Sequence, residues 1–185
     1  ATGPGHAISA TASNGTGTSG ASGALTLNIA LFDGPVGNTQ VLLTSNQQGC
    51  ALDAPPAFAP ADLTAAPAGA TAPLGALGFS ASGCAGGTLA VRATYPPGNL
   101  TGLTPYKQGP ASTGAPASWF PLGTVTGDAV SWSVPDNGAG DNDSASGAIR
   151  DPHAMLLLGT TPVPTLGHWA LVLLGLLVQV LAFVA

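Results

Sequence analysis

The C-terminal segment constrains this chain more than any other part of its sequence. After His168 no residue carries a charge, and Gln179 is the only strongly polar side chain. Thr165 follows a proline and is a good helix N-cap, so the sequence predicts a helix over 165–185. At 1.5 Å per residue this helix is roughly 30 Å long, about the thickness of a bilayer core. A helix that is apolar on all sides has to be surrounded by apolar material.

Three surroundings satisfy this requirement: a membrane, other copies of the chain, or the core of a soluble monomer. A membrane anchor normally ends in cytoplasmic Lys or Arg residues, and none follows the apolar segment here. Gly175 leaves room for close approach of a second helix, and side chains spaced by four share one helix face. We expect the anchoring or assembly surface to comprise Leu166, Trp169, Val172, Leu173, Leu176, Leu177, Val180 and Phe183.

Composition excludes some classes of protein and favours β-structure. The only cations are Arg92, Lys107 and Arg150, and the eight acidic residues, all Asp, give a net charge of −5. Without a basic patch, nucleic acid is excluded as a partner on electrostatic grounds. The 27 Gly and 17 Pro among 185 residues argue against a mainly helical protein and predict short strands joined by many turns.

Features at the start of the chain and its cysteine count both indicate an extracytoplasmic protein. The opening Ala1-Thr2-Gly3 is typical of an exported chain whose signal peptide has been removed. An even number of cysteines in an oxidising compartment predicts a disulfide between Cys50 and Cys84, and two buried thiols are the alternative. A disulfide closing a loop of about 35 residues adds roughly 3–4 kcal/mol to stability.

The pattern of apolar residues predicts a small antiparallel β-sandwich of six or seven short strands. Alternation is clear over Leu25–Phe32, Leu77–Ala81, Leu89–Tyr95 and Val130–Val134, and Asp33-Gly34-Pro35 predicts a hairpin turn. The predicted fold class is therefore mainly β, with a single C-terminal hydrophobic helix.

The predicted organisation has four parts. Residues 1–23 are Gly, Ser, Thr and Ala, and form either a flexible arm or a strand that orders only against a partner. The β-sandwich domain covers 24–152, a linker covers 153–164, and the helix covers 165–185. Within the linker, the apolar run from Met155 to Leu158 needs a cover from its own domain or a neighbour.

The sequence gives little support to catalysis, so we expect a protein that is not an enzyme. His6, His153 and His168 fall in the arm, the linker and the helix entry, where no rigid scaffold positions them. Nucleophile-elbow, Walker and Rossmann glycine patterns do not occur. Trp119 and Trp132 are expected in the core, with a carbohydrate-binding platform as the alternative.

One acidic loop is a candidate metal site. Asp136, Asp141 and Asp143 lie among Gly and Asn residues, and hard oxygen ligands on a Gly-rich loop are what Ca²⁺ requires. The spacing differs from an EF-hand and no Glu closes the loop. The alternative is a solvated turn that exploits the tolerance of Asn, Asp and Gly for left-handed conformations. Apart from this Ca²⁺, no cofactor is expected.

Two segments resemble known families of exported bacterial proteins. Pro164-Thr165-Leu166, then Trp169 and the Leu-rich span, resemble the IPTL-CTERM sorting signal, with Val163 at the usual Ile position and His168 where an acidic residue is common. The terminal basic cluster of that family does not occur here. This resemblance implies sorting to the cell envelope.

Residues 50–152 resemble the choice-of-anchor U domain. The resemblance is carried by Tyr106-Lys107-Gln108-Gly109-Pro110, Ser118-Trp119-Phe120, the acidic loop from Asp136 to Asp143, and Gly147-Ala148-Ile149-Arg150-Asp151-Pro152. Such domains precede sorting tails, and no enzymatic activity is assigned to them.

Together these observations predict a non-catalytic structural protein at the cell surface. In the favoured interpretation, copies of the chain form an extracellular filament through the C-terminal helix, and the N-terminal arm adds a strand to an adjacent subunit. In the alternative, the chain is displayed singly and the tail is a transmembrane anchor, so that the membrane is its partner.

Overall fold

The structure, a computed structural model, describes residues 6–12 and 25–159, with side chains described over 34–159. These residues form antiparallel sheets, as predicted, and the described ranges contain no helix able to cross a membrane. The predicted helix over 165–185 lies outside the described residues. In chain order the strands are β1 (His6–Ala12), β2 (Leu25–Gly34), β3 (Gly37–Ser45), β4 (Ala51–Leu52), β5 (Ala57–Ala59), β6 (Ala76–Ser82), β7 (Thr88–Thr94), β8 (Thr104–Pro110), β9 (Ala117–Pro121), β10 (Thr124–Thr126), β11 (Ala129–Pro135) and β12 (Ile149–Leu156).

The strands form two sheets that share one core. Sheet A has the order β1-β2-β3-β7-β11-β10, and sheet B has the order β4-β6-β12-β8-β9, with β5 also paired to β6. Every pairing is antiparallel. The main core contains buried side chains from both sheets, which is the arrangement of a β-sandwich.

The inward faces follow the alternation expected for half-buried strands. On sheet A, every second residue of β7 and β11 is buried, and on sheet B the same holds for β6. The buried apolar residues that belong to the main core on these three strands are Leu77, Phe79, Ala81, Leu89, Val91, Ala93, Val130, Trp132 and Val134. The predicted strands in these regions are therefore confirmed, as is the hairpin, in which β2 pairs with β3 across Pro35 and Val36.

The domain has more strands than predicted and extends further along the chain. The described residues contain twelve strands rather than six or seven. β8, β9 and β10 carry little alternation, β4 and β5 have only 2 and 3 residues, and β1 lies in the predicted arm. The predicted linker over 153–164 is wrong at its start, since β12 continues through Leu156 at the centre of sheet B. The arm is also not wholly irregular, because His6–Ala12 pairs with β2 of its own chain.

The apolar run that follows His153 is covered by its own domain over its first half. Met155 enters the main core, while Leu156 faces the other side of sheet B. There it packs under the irregular segment 61–72, which is fixed by two hydrogen bonds between Thr71 and Leu157. Leu157 and Leu158 remain 49% and 38% exposed. The domain therefore ends in two exposed leucines.

Candidate functional site

A group of polar side chains lies between the two sheets, where apolar residues would be expected. Lys107 on β8, Asp151 and His153 on β12, and Trp132 on β11 are all buried. Lys107 pairs directly with His153 across the two strands, so Asp151, two residues earlier on β12, shares their inward face. We call these four residues the buried polar cluster.

The centre of the cluster is an ion pair that is completely withdrawn from solvent. The Nζ atom of Lys107 lies 3.1 Å from Oδ1 of Asp151, and both side chains are 0% exposed. Nζ also donates hydrogen bonds to the carbonyls of Gln108 at 2.7 Å and Pro152 at 3.3 Å. The ammonium thus has one carboxylate and two carbonyls in place of water, which offsets part of its desolvation cost.

Trp132 connects the cluster to the opposite sheet. Its indole Nε1–H donates a 2.6 Å hydrogen bond to Oδ2 of Asp151, and its ring stacks on His153 with centroids 4.0 Å apart and planes inclined by 12°. A single side chain of sheet A therefore holds two side chains of sheet B. This burial contradicts the carbohydrate-platform alternative for Trp132 and confirms its place in the core.

His153 is held as a neutral imidazole. Its Nε2 atom lies 3.0 Å from the carbonyl of Leu122, which accepts the hydrogen and so assigns the proton to Nε2. Nδ1 then carries a lone pair, and it has no hydrogen-bond partner among the described residues. Burial lowers the pKa of His153 to about 4, the Leu122 carbonyl opposes this, and the Lys107 charge adds to it. The expectation that no scaffold positions His153 is wrong.

Burial also acts on the ion pair itself. Desolvation lowers the pKa of Lys107 and raises the pKa of Asp151, while the attraction between the two charges opposes both shifts. In each case desolvation is the larger cause. The site therefore brings an amine and a carboxyl group into contact in surroundings that favour their uncharged forms.

The acidic loop closes over this cluster rather than pointing its carboxylates at a common centre. Gly140 has φ +87°, and a Cβ there would lie 3.1 Å from Cε of Lys107, so only glycine fits comfortably. The loop backbone is fastened to both strands, since Gly140 N–H donates to the carbonyl of Pro110 and Asn142 N–H donates to that of Arg150. The loop thus covers the lysine stem.

The predicted calcium ligands are engaged by backbone donors. Asp136 accepts hydrogen bonds from the N–H groups of Gly86 at 2.9 Å and Gly147 at 2.8 Å. Asp141, which is buried, accepts three from the N–H groups of Asn137, Asp143 and Arg150. Asp143 accepts one from Ala145 N–H.

Within the described residues, no three His, Cys, Asp or Glu side chains come together as a metal site. The predicted calcium set of Asp136, Asp141 and Asp143 therefore does not converge. The turn interpretation accounts for what these carboxylates contact.

The remaining predicted residues are placed as follows. Cys50 and Cys84 form a disulfide with an S–S distance of 1.99 Å, which confirms the predicted bond. Trp119 is buried under the irregular segment, where its Nε1–H donates to the carbonyl of Asp62 at 2.9 Å. The predicted anchor or assembly residues lie outside the described residues: Leu166, Trp169, Val172, Leu173, Leu176, Leu177, Val180 and Phe183.

Residues 161–185 match the family model of the IPTL-CTERM motif, a C-terminal sorting signal of exported or surface proteins. No curated protein and no solved structure matches the chain. The tail thus places the protein among exported surface proteins, and the resemblance of residues 50–152 to the choice-of-anchor U domain stays a prediction.

Sequence reasoning singled out the segments that contain the cluster but not the cluster itself. Lys107 and Asp151 both belong to motifs quoted for the choice-of-anchor U resemblance, yet no role was assigned to either. One signal was available: Lys107 is the only lysine of a chain that has three cations in total. Lys107 lies between Tyr106 and Gln108, where apolar and polar residues do not alternate, so the sequence pattern does not show that its side chain points inward.

Proposed function

We propose that this chain is a non-catalytic structural protein of the cell surface that assembles into an extracellular filament through its apolar C-terminal segment. The observation that carries the surface assignment is the IPTL-CTERM match directly behind a domain closed by a disulfide. A disulfide is stable in an oxidising compartment, which agrees with export.

The polar groups of the interior support a structural rather than a catalytic role. The ion pair is 0% exposed on both sides, and Trp132 and the acidic loop enclose it. A catalyst needs its reactive groups open to a substrate in a cleft. Here the charged groups of the cluster face the core of the sandwich.

Assembly is supported by the way the domain leads into its tail. Leu157 and Leu158 are exposed at the end of the domain, and the apolar segment follows within a few residues. Two exposed apolar side chains of the described domain are thus followed in sequence by an apolar segment that also needs a cover. At about 25 cal/mol per Å² of apolar area, covering such a segment contributes many kcal/mol to association before entropy costs.

The N-terminal strand offers a second contact for assembly. β1 is an outer strand of sheet A and pairs with β2 within the chain. Its other edge is a row of backbone donors and acceptors, the kind of edge to which a further strand adds. We propose that a neighbouring subunit pairs there.

The second candidate function is single display, in which the tail anchors one domain to the envelope. The IPTL-CTERM match favours it, because the motif is a sorting signal. The two candidates share the exported domain and differ only in what surrounds residues 165–185.

The test is the state of the full chain after export. Filaments that are visible by electron microscopy and survive detergent support assembly, whereas a chain recovered only as detergent-solubilised monomers refutes it. Leu176→Asp should abolish filaments while leaving the domain disulfide-bonded. Val125→Asp is the matched control, because it places the same charge on a side chain that is already 36% exposed. Loss of filaments in both variants would contradict a specific role of the tail.

A further inference from the structure

The burial of Lys107 is the most unusual feature of the described structure. The chain has three cations, and the other two, Arg92 and Arg150, are exposed. Lysine is almost never fully buried, and a buried ion pair is often no more stabilising than apolar residues of similar volume. Stabilisation by the ion pair therefore does not explain why Lys107 and Asp151 are buried together.

The geometry brings the two reacting groups of an amide together. Lys107 and Asp151 lie on neighbouring antiparallel strands, two residues out of direct register and on one face. Nζ and Oδ1 are 3.1 Å apart. The two carboxylate oxygens also differ: Oδ2 accepts the hydrogen bond of the Trp132 indole, whereas the partner of Oδ1 is the Lys107 ammonium itself. One oxygen is thus fixed, and the other is free to leave.

We propose that Lys107 and Asp151 are a site of self-formed covalent modification, at which Nζ condenses with Cγ of Asp151 to give an isopeptide amide between β8 and β12. The bond forms between the lysine nitrogen and the carboxyl carbon. The bond between that carbon and Oδ1 breaks. One water molecule leaves, and no oxidant, reductant or co-reactant is needed.

The protons and charges of the reaction balance among the residues of the buried polar cluster. A proton passes from the ammonium to the carboxylate, giving an amine and a carboxylic acid with no change in net charge. The directions of the two pKa shifts, lysine down and aspartate up, favour this transfer. The amine then attacks Cγ and gives a tetrahedral adduct whose negative charge develops on Oδ2, where the Trp132 N–H already donates at 2.6 Å.

Collapse of the adduct requires one more proton movement. The nitrogen must lose a proton and the departing oxygen must gain one. Nδ1 of His153 has a free lone pair, and His153 stands directly opposite Lys107 in the strand pairing. We assign this relay to His153, which accepts the proton and returns it, so that it is neutral at the start and at the end.

The proposed bond lies where it would resist force applied through the C-terminal segment. β12 is the last strand of the described residues and precedes the apolar segment in sequence, so tension on the tail reaches the domain through β12. An amide at residue 151 would join β12 covalently to β8. This inference does not depend on the filament, because an anchored single domain carries tension through the same strand.

The first test is the intact mass of the full, unreduced wild-type chain. We expect it to lie one water molecule below the mass of the disulfide-bonded sequence. Amine labelling under denaturing conditions should then modify the α-amine alone, because the chain has no other lysine. Trypsin should fail to cleave after Lys107 and should release one branched product containing residues 93–150 and 151–185. A mass without the water loss, with two labelled amines, would overturn the proposal.

Lys107→Arg is the matched control, since a guanidinium keeps the charge and the pairing but does not form this amide. This variant should show no loss of water and should still form the Cys50–Cys84 disulfide. A water loss that persists in Lys107→Arg would place the modification elsewhere and contradict the assignment.

The relay is tested by rate. After cell-free synthesis under oxidising conditions, the bonded fraction of His153→Phe should rise about 10²-fold more slowly than that of wild type, the scale of general acid–base catalysis. The phenyl ring keeps the packing on Trp132, and disulfide formation reports folding. Bond formation at the wild-type rate would show that His153 takes no part in the mechanism. The existence of the bond is tested separately, by the mass measurement.

Discussion

Sheets A and B face the same core with different chemistry. Strands β7 and β11 of sheet A turn only apolar side chains inward, and their neighbour β3 buries the neutral side chains of Thr39 and Ser45 beside its apolar ones. The central strands of sheet B, β8 and β12, turn Lys107, Asp151 and His153 toward the same space. Sheet B also holds the disulfide, because Cys50 precedes β4 and Cys84 follows β6. Where its side chains are described, sheet A thus buries apolar and neutral polar groups, whereas sheet B adds an ion pair and a disulfide.

The difference shows what each kind of interior requires. Apolar packing tolerates substitution, since side chains of similar volume replace one another at a modest cost in stability. A buried ion pair does not, because removing one partner leaves the other charged and without solvent. Trp132 belongs to both kinds of interior. It lies among the apolar residues of sheet A, and its indole N–H donates a hydrogen bond to Asp151 of sheet B. Substitutions on the two sheets should therefore behave differently.

The largest expected effect is the loss of one member of the ion pair. Asp151→Ala should lower the free energy of unfolding by about 3–5 kcal/mol, because Lys107 is left buried without a counter-charge. The double variant Lys107→Met/Asp151→Leu removes both charges and should be more stable than Asp151→Ala, although it lacks any bond between the strands. Denaturant unfolding measures both. A double variant no more stable than the single one would show that the unpaired charge is not the cause.

The disulfide gives the next largest effect. Replacing Cys50 and Cys84 by Ala should cost about 3–4 kcal/mol, since the bond spans a separation of 34 residues and its main effect is to restrict the unfolded chain. Thermal or denaturant unfolding of the variant measures the loss. A cost below about 1 kcal/mol would show that sheet B holds this edge without its covalent link.

The contrast between the sheets also explains which parts of the fold could be predicted. In sheet A, alternation of Leu89, Val91 and Ala93 with small or polar residues identifies both the strand and its inward face. In sheet B, β12 has Asp151, Pro152 and His153 in its centre, a pattern that is typical of a loop. No rule of local periodicity shows that an aspartate will point inward. That orientation is decided by a lysine 44 positions earlier in the chain, since the pair joins residues 107 and 151.

The candidate site could be predicted only in part for the same reason. The disulfide was predictable, because two cysteines in an exported chain allow one intramolecular pairing. The acidic loop was found as a sequence feature, with a Ca²⁺ site and a solvated turn both left open, and in the structure its carboxylates accept backbone hydrogen bonds. Residue type and spacing showed that the loop is special. They did not show that it covers Lys107.

The two sheets should also differ in how the stability that they contribute depends on pH, because His153 lies on sheet B. The pKa of His153 is about 4 in the folded chain and 6.5 as its ordinary value. The unfolded chain therefore binds more protons between these values, so the stability that depends on a neutral His153 is present above pH 6.5 and is lost as pH falls toward 4. The loss amounts to about 3 kcal/mol.

Melting curves recorded between pH 7 and pH 4 measure this slope. In His153→Phe, that part of the pH dependence should disappear. Leu89→Ala on sheet A is the control: its buried side chain leaves a cavity and should cost about 2–5 kcal/mol at every pH, with the slope unchanged. An equal slope in wild type and His153→Phe would assign the pH dependence to other groups.

The smallest expected effect concerns the acidic loop that covers sheet B's cluster. Excess chelator should leave the melting temperature of wild type unchanged, because both oxygens of Asp136 already accept hydrogen bonds, from Gly86 and Gly147. Asp136→Asn should lower the free energy of unfolding by about 1–2 kcal/mol, since the amide offers one acceptor oxygen where the carboxylate offers two. A melting temperature that falls in chelator and recovers on adding Ca²⁺ would restore the metal interpretation. The variant and the chelator together distinguish the two interpretations: a carboxylate that only accepts hydrogen bonds from backbone N–H groups responds to the substitution alone, whereas a metal site responds to both.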